Sequence, residues 1–470
     1  MQIVSLGPQR QIGGNCFLVQ FNNGSKYFLD CGVGLLKTEE LGGESFWNVY
    51  SYPKQLLTDF DFYPMQPFQH IIDKFNLTDS SASLLISHSH TDHYMGFPVI
   101  AKYVKDIIAP KAVTGYFLPK ILGELTPESE KEKEYGFKFQ TIKDVLSKAV
   151  TLEVKDTSTK FNNVQSIQID HSTIPSFMYL IEEGNERLVY SGDFRGKVFS
   201  PDKGQFPTTK AITILKKWIG KTDALICEGT NLEPAPAALT DEDACKLINK
   251  NLKEIKGGLG IIIRSGDYSL AMRLFEMIKK YDTQRPFFVV KNYYDWVVGT
   301  ETREHLDKDV IPQELTKLLQ ELFQSGKIKY ATKEKDVCQA ISPVLISTTY
   351  EDEISEFKKI IRYSFDKVFS KCLVVVNLSM SYTEQWIQRQ ESLYELLKLR
   401  KILLEPYYTS GHATVSEIID LIRVLKPKKV IPTHSFNPEY FHTLVREAGL
   451  DHQIAVIPCR GEIINSVKSL

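Results

Sequence analysis

The sequence predicts an α/β protein in which a β-rich core is interrupted by a second domain of alternating strands and helices. Three observations lead to this prediction. The first 30 residues alternate short β-type runs with turn residues, whereas strands alternate with helices after about residue 235. Histidines at predicted strand ends occur both before and after that stretch. We therefore expect a first domain over residues 1–235, an inserted domain over 236–400, and a return to the first domain over 401–470.

The composition is that of an ordinary globular protein, with 43% hydrophobic and 24% charged residues among 470. The net charge of −1 argues against a strongly basic nucleic-acid coat, although a locally basic groove stays open. Seven scattered cysteines without a Cys-x-x-Cys pair favour reduced thiols. The N-terminus shows no signal-peptide pattern and no apolar run approaches bilayer length, so we expect a cytoplasmic protein without membrane association.

The β-rich part begins with three short strands, "MQIVSLG", "NCFLVQF" and "KYFLDCG", which the turns "GG" and "NNGS" separate. Further strands are predicted at "QSIQID", "ERLVYSGD" and "DALICEG". In the inserted domain, "TDEDACKLINKNLKEI" reads as a helix with Thr240 as its N-cap and an acidic first turn. The strand "GGLGIIIR", the helix "SLAMRLFEMIKKY" and the strand "RPFFVVK" follow. This alternation predicts a mainly parallel sheet.

The stretch "ISHSHTDHYMG" places three histidines and an aspartate directly after an apolar strand. Neutral imidazoles and carboxylates are good zinc ligands, and this spacing puts them on one tight loop that can face more than one ion. The alternative is a solvated turn that happens to be rich in histidine. The loop contributes four candidate ligands: His88, His90, Asp92 and His93.

Other predicted strands end in residues that would complete a metal site. His171 follows "IQID", Asp193 follows "LVYSG", and His434 follows "VIPT". Asp30, after "YFL", is better placed to orient a ligating imidazole than to bind metal itself. Each residue alone has the alternative of a hydrogen-bonded core position. Together these short motifs contain five of the ten histidines, and "TSGHAT" adds a sixth, so we expect one metal centre.

These motifs carry a resemblance to a known family. The spacing His-x-His-x-Asp-His from residue 88 to 93, with His171 and Asp193 downstream, resembles the metallo-β-lactamase superfamily. The stretches "CEGTNL", "TSGHAT" and "IPTHSF" resemble the three additional motifs of the β-CASP nucleases. That group includes ribonuclease J, the endonuclease subunit of the cleavage and polyadenylation machinery, and DNA nucleases of the Artemis type. The resemblance implies a metallo-β-lactamase αββα sandwich with an inserted β-CASP α/β domain.

Carried over residue by residue, the resemblance implies two zinc ions, with manganese as the alternative. One ion would be held by His88, His90, His171 and Asp193. The other would be held by Asp92, His93, Asp193 and His434, so that Asp193 bridges the pair, and Asp30 would support the histidine loop. Asp92, Glu228 and His412 would be the catalytic residues. A histidine at position 434 is typical of RNA-acting members, whereas DNA-acting members tend to carry valine there.

The chemistry of these residues supports the same reaction. Two nearby divalent cations lower the pKa of a shared water and neutralise charge that develops on a phosphodiester. His412, held by Glu228, is expected to protonate the leaving group. In "TSGHAT", Thr414-x-x-Glu417 also reads as a helix capping box, and both interpretations hold together. The candidate phosphate contacts are Arg195, Ser410 and Gly411.

We therefore expect a ribonuclease that cleaves single-stranded RNA, with the choice between exonuclease and endonuclease open. A homo-oligomer or a protein partner is also open. After the strand "CLVVVN" the chain reads "LSMSYTEQW", without the glycine-containing loop that ribonuclease J proteins carry near their 5′-monophosphate pocket, which weakens the expectation of a 5′-exonuclease. The alternatives are a DNA nuclease of the same family, a small-molecule ester hydrolase of the superfamily, and a non-catalytic RNA-processing scaffold.

Overall fold

The computed structural model describes residues 1–7, 12–32, 65–119, 139–153, 158–173, 175–196, 209–232, 239–264, 267–281, 285–298, 313–331, 337, 340, 343–348, 357–360, 373–377, 384–407 and 409–465. The chain forms two compact units. One comprises Met1–Ala235 and Gly411–Leu470, and the other comprises Pro236–Ser410. Most of "LSMSYTEQW", at residues 378–383, lies outside the described residues.

The first unit contains two sheets. The first sheet has the order β19-β1-β2-β3-β4-β5-β6. Neighbouring strands from β19 to β3 pair antiparallel, whereas those from β3 to β6 pair parallel. The strands are β1 (Gln2–Ser5), β2 (Phe17–Gln20), β3 (Lys26–Leu29), β4 (Ala82–Leu85), β5 (Val104–Pro110), β6 (Val150–Leu152) and β19 (Ile463–Asn465).

The second sheet has the order β18-β11-β10-β9-β8-β7, with β10, β11 and β18 parallel. Its strands are β7 (Ser158–Phe161), β8 (Val164–Ile169), β9 (Ser176–Glu183), β10 (Glu186–Tyr190), β11 (Ala224–Glu228) and β18 (Lys429–Thr433). The register pairs Glu228 with Thr433. This pairing brings the carboxyl ends of two strands that are distant in sequence to the same edge of the sheet, next to His434.

The two sheets pack face to face, with helices on their outer faces. Leu29 and Leu85 of the first sheet share a buried cluster with Tyr179 and Ile226 of the second. Outside the first sheet lie the helices Met65–Lys74, Thr91–Tyr94, Phe97–Ile100 and Phe139–Ser147, and outside the second lie Thr209–Lys216, Val415–Leu425 and Phe441–Glu447. This is the αββα sandwich that the family resemblance implied.

The second unit is built on a parallel sheet with the order β14-β13-β15-β12-β16-β17. Thr240 caps the helix Asp241–Glu254, as predicted, because its side chain accepts a hydrogen bond from the Asp243 amide. The other helices are Tyr268–Lys280, Lys291–Val298, Gln313–Gln324 and Glu384–Leu399. The strands are β12 (Leu259–Ile263), β13 (Phe287–Val289), β14 (Ile328–Tyr330), β15 (Val344–Thr348), β16 (Leu373–Asn377) and β17 (Leu403–Tyr407).

The second unit extends ten residues beyond the boundary that the sequence suggested at residue 400. The strand β17 hydrogen-bonds along its full length with β16, so these residues belong to the sheet of the inserted unit. Sequence pattern alone does not show which sheet an apolar segment joins. No helix in the described part of the chain is long and apolar enough to cross a bilayer.

Candidate metal centre

The histidine-rich loop begins directly after β4 and turns into the short helix Thr91–Tyr94. His90 is the N-cap residue of this helix, which places Asp92 and His93 within its single turn. His88 and His93 are completely buried, and Asp92 is 8% exposed. A loop that buries several histidines and a carboxylate is not a solvated turn, so that alternative does not fit the structure.

Four of the candidate residues form a first cluster: His88, His90, His171 and Asp193. The His90 Nδ1 lies 3.0 Å from the His88 Nε2 and 3.2 Å from the His171 Nε2. The Asp193 Oδ2 lies 3.8 Å from the His88 Nε2 and 4.0 Å from the His171 Nε2. Strand ends from both sheets of the first unit supply these atoms.

The second cluster comprises Asp92, His93 and His434, and the Asp193 carboxylate of the first cluster lies beside it. The His434 Nε2 lies 3.0 Å from the Asp92 Oδ2 and 3.5 Å from the Asp193 Oδ2. The His93 Nε2 lies 3.2 Å from the Asp193 Oδ2 and 3.7 Å from the Asp92 Oδ2. Asp193 therefore faces both clusters through a single oxygen.

These distances fit two metal ions. Tetrahedral zinc with ligands at about 2.1 Å has ligand atoms roughly 3.4 Å apart, close to the separations in both clusters. Among the residues that the structure describes, neither carboxylate oxygen of Asp193 has a hydrogen-bond partner, although Asp193 is only 1% exposed. A buried carboxylate without hydrogen bonds is costly unless a cation compensates its charge.

Electrostatics distinguish the histidines of the two clusters. Burial lowers the pKa of His88 and of His171 well below the usual histidine value, and neighbouring imidazoles lower both further. Both rings are therefore neutral and offer lone pairs, which is the form that binds metal. For His93, burial also lowers the pKa, but the carboxylates of Asp193 and Asp92 raise it well above the ordinary value.

The acidic residues show the complementary effect. Burial raises the pKa of Asp92, but His93 and then His434 lower it to about 2. Burial likewise raises the pKa of Asp193, but His434 and His93 lower it well below the usual range. Both carboxylates are therefore ionised at neutral pH, as metal ligation requires.

Asp30 contacts one of the candidate ligands, His93. Its Oδ1 accepts a hydrogen bond from the Ser87 amide at 2.6 Å, and its Oδ2 accepts from the Ser87 hydroxyl at 2.8 Å. The same Oδ2 accepts from the Tyr190 hydroxyl at 2.5 Å and from the His93 Nδ1 at 2.6 Å. Because the carboxylate can only accept, it holds the His93 proton on Nδ1, so that Nε2, which lies 3.4 Å from the Asn15 Nδ2, carries the lone pair on the side of the cluster.

Gly411 orients His171 in a similar way. The His171 Nδ1 donates a hydrogen bond to the Gly411 carbonyl, which directs Nε2 toward the first cluster. A Cβ at residue 411 would lie 2.6 Å from the Ser172 Oγ and 3.0 Å from the His171 Cε1. Glycine is needed here because the backbone approaches the histidine so closely.

The three residues predicted to contact phosphate are buried or contact other residues of the chain. The side chain of Arg195 is 7% exposed, and its Nε lies 3.6 Å from an oxygen of Asp170. Its guanidinium also donates to the His171 carbonyl at 3.4 Å. Ser410 is 4% exposed, and Gly411 is engaged with His171. Arg195 and Gly411 thus contact His171, which differs from the predicted contact with phosphate. Sequence position alone does not show where a side chain points.

Glu228 is completely buried and accepts four hydrogen bonds. Its Oε1 accepts from the amides of Phe194 and Ala413, at 3.1 and 3.0 Å. Its Oε2 accepts from the amide and the hydroxyl of Thr230, at 3.2 and 2.8 Å. The carboxylate therefore connects the segment that follows Asp193 with the segment that follows His412.

His412 lies beside the shared carboxylate. Its Nδ1 is 3.5 Å from the Asp193 Oδ2, 3.3 Å from the Glu228 Oε2 and 3.0 Å from the Thr230 hydroxyl. Thr230 is a residue of the site that the sequence motifs did not predict. It lies two residues after Glu228, but that position does not indicate a contact with His412. The predicted capping box is present, since Thr414 and Glu417 exchange hydrogen bonds at the start of the helix Val415–Leu425.

Two residues of the site have backbone dihedral angles that residues other than glycine rarely adopt. The φ angles of Asp30 and His434 are 53° and 52°. Such conformations persist where surrounding contacts impose them, and they cluster at functional sites. Both residues directly follow strands, β3 and β18, so each strand ends at the residue that turns toward the clusters.

Two parts of the chain match described families. Residues 83–283 match the metallo-beta-lactamase superfamily, and residues 401–439 match the Zn-dependent metallo-hydrolase RNA specificity domain. The first match contains both candidate metal clusters apart from His434. The second contains His412 and His434.

Several characterised proteins are similar at low identity. Ribonuclease J of Mycoplasma genitalium is 21% identical over 92% of this chain and 67% of its own length. Ribonuclease J of Helicobacter pylori is 22% identical over 94% of this chain and 56% of its own length. Integrator complex subunit 11 of Danio rerio is 25% identical over 49% of this chain and 34% of its own length. The chain thus spans from about a third to two thirds of these relatives.

A solved structure supports the fold alone. The crystal structure of a protein of unknown function from Enterococcus faecalis V583 superimposes with a TM-score of 0.55 at 15% sequence identity. The superposition covers 98% of this chain and 99% of the other.

Proposed function

We propose that this chain is a metal-dependent ribonuclease of the β-CASP group that cleaves single-stranded RNA, a proposal that the matches to the metallo-beta-lactamase superfamily and to the Zn-dependent metallo-hydrolase RNA specificity domain support. The observation that carries the proposal is the pair of ligand clusters that share the Asp193 oxygen, with His412 beside them. This combination suits hydrolysis of a phosphodiester, whose transition state gains negative charge and whose leaving oxygen needs a proton.

The two clusters would hold two zinc ions, with manganese as the alternative. His88, His90, His171 and Asp193 would bind one, and Asp92, His93, Asp193 and His434 the other. When bound, such a pair supplies a water of lowered pKa and neutralises charge on the phosphate. The donor set of imidazole nitrogens and carboxylate oxygens suits either metal.

The residues of the chain supply the remaining requirements. Asp92 and Asp193 are held ionised at fixed positions, which avoids reorganisation during the reaction. His412 has a side chain that is 12% exposed, whereas the histidines of the clusters are more deeply buried, His90 excepted. An imidazole at the edge of the site, with Nδ1 held by neighbours, can present Nε2 to a leaving oxygen and donate a proton there.

The preference for RNA rests on the region that contains His412 and His434. Residues 401–439 match a domain described by its RNA specificity, and two ribonuclease J proteins align over most of the chain. A DNA nuclease of the same group remains the second candidate, because phosphodiester chemistry is identical in both polymers. The clusters of imidazole and carboxylate groups support an enzyme over a non-catalytic scaffold.

The test offers the purified protein single-stranded RNA and DNA of one sequence, each with a 5′-phosphate or a 5′-hydroxyl, and resolves the products on a gel. The doubly substituted variant Asp92→Asn/His93→Ala controls for contaminating nuclease. RNA cleavage by the unmodified chain alone is expected, and the product ladder reveals the direction of cleavage. Equal cleavage of DNA would remove the RNA preference. Absence of cleavage despite two bound metals would redirect the proposal toward small-molecule esters.

A further inference from the structure

We propose that the Thr230 hydroxyl is a positioning group that sets the tautomers of His434 and His412 together; this inference rests on the proposed metal pair. The Thr230 Oγ1 lies 2.7 Å from the His434 Nδ1, 3.0 Å from the His412 Nδ1 and 2.8 Å from the Glu228 Oε2. Thr230 is 4% exposed. A single hydroxyl thus joins the proposed proton donor, a proposed metal ligand and a buried carboxylate.

The number of hydrogens determines the direction of each bond. A threonine hydroxyl has one hydrogen to donate and two lone pairs to accept with. The Glu228 carboxylate oxygen can only accept a hydrogen bond. The His434 carbonyl oxygen can also only accept, and it lies farther from the Thr230 hydroxyl, at 3.3 Å. The hydrogen therefore goes to Glu228, since a bond to a carboxylate is the stronger one. The hydroxyl then accepts from the Nδ1–H groups of His434 and His412.

This arrangement prepares both histidines for their proposed tasks. With its proton on Nδ1, His434 directs a lone pair on Nε2 toward Asp92 and Asp193, at 3.0 and 3.5 Å. His412 also bonds to the hydroxyl through its Nδ1–H, so it can donate a proton from Nε2 only as the doubly protonated imidazolium. Partners that fix the tautomer of a metal-binding histidine are typically worth 10- to 100-fold in metal affinity, about the effect we expect here.

The proposed arrangement also implies a role for Glu228 in orienting the Thr230 hydroxyl. With glutamine at position 228, whose amide group can donate, the Thr230 hydrogen could turn to the His434 Nδ1. The His434 proton would then sit on Nε2, where it faces the Asp92 oxygen and blocks metal binding. The Glu228 side chain would thus act on the metal cluster through Thr230, in addition to any direct effect on His412.

The test measures zinc bound per chain at buffered free zinc concentrations, together with the absorption spectrum of the cobalt-substituted protein. Thr230→Val removes the hydroxyl and keeps the shape, whereas Thr230→Ser keeps the hydroxyl. Thr114→Val is a matched control, because that buried hydroxyl bonds to Thr151 at 3.1 Å within the same unit. Thermal unfolding of every variant shows whether it folds.

We expect Thr230→Val to bind the second ion about 10- to 100-fold more weakly and to lose the corresponding cobalt bands, with Thr230→Ser and Thr114→Val close to the unmodified chain. Glu228→Gln should weaken the second ion in the same way. Two ions of unchanged affinity in folded Thr230→Val would overturn the inference, and equal weakening in Thr230→Ser would also overturn it. An unmodified chain that binds fewer than two ions would overturn the proposed metal pair as well.

Discussion

Substitution of Asp30 by asparagine tests whether this carboxylate orients the second metal cluster. The change keeps the shape of the side chain but replaces one accepting oxygen with a donating amide. In the native site, the two oxygens accept hydrogen bonds from the Ser87 amide and hydroxyl, the Tyr190 hydroxyl and the His93 Nδ1. Three of these four donors face the same oxygen, Oδ2.

The size of the effect follows from these contacts. If the amide oxygen keeps the Ser87 amide, the new NH₂ faces three donors. The two hydroxyls can turn away, but His93 can avoid the clash only by moving its proton to Nε2, which faces Asp193 at 3.2 Å. Loss of one partner from a buried charged network costs about 3–5 kcal/mol. At roughly 2 °C per kcal/mol for a unit of this size, the melting temperature should fall by about 6–10 °C.

The same proton shift predicts weaker metal binding. The second ion should bind about 10- to 100-fold less tightly in Asp30→Asn, whereas the first ion should be retained. Zinc content at buffered free zinc and thermal unfolding measure the two effects separately. Glu183→Gln is the matched control: this buried carboxylate accepts from Tyr27, Asn23 and Asn163, and its loss should reduce stability without changing the zinc content. Unchanged zinc affinity in Asp30→Asn would refute the argument.

Three further predictions concern the site and its support. His412→Ala should lower RNA cleavage by about 10²–10⁴-fold but change hydrolysis of a nitrophenyl phosphodiester little, because that leaving group needs no proton; equal losses on both substrates would contradict a proton-donating role. Gly411→Ala should displace His171 and weaken the first metal ion, as measured by zinc content, and normal content would show that the close contact is tolerated. Burial raises the pKa of Glu183, but hydrogen bonds, first that from Tyr27, lower it below the usual value. The stabilisation from the ionised Glu183 carboxylate is therefore present above its pKa in the unfolded chain and is lost as the pH falls through its pKa in the folded protein. Tyr27→Phe should lower stability by about 1 kcal/mol at neutral pH, and the difference should shrink in unfolding curves recorded below about pH 4; a difference independent of pH would contradict the assignment.

Local patterns determined much of this protein. The Thr240 N-cap and the capping box of Thr414 and Glu417 depend on residues three positions apart, so the sequence predicts them directly. Strand periodicity likewise predicts the alternating elements of the inserted unit. Polar residues that directly follow apolar strands indicated the candidate ligands, because carboxyl ends of parallel strands meet at one edge of a sheet.

Tertiary structure alone decided how these residues contact one another. The bond between Thr230 and His412 joins positions 182 residues apart, and the one between His171 and Gly411 joins positions 240 apart. Arg195 turns inward to Asp170, and β17 pairs with β16 although its sequence suggested the first domain. Such contacts depend on strand register and on which face or edge of the sheet each chain segment packs against. The local sequence therefore determines which candidate ligand residues follow the strands. Their orientation depends on hydrogen bonds that form only when the two sheets pack.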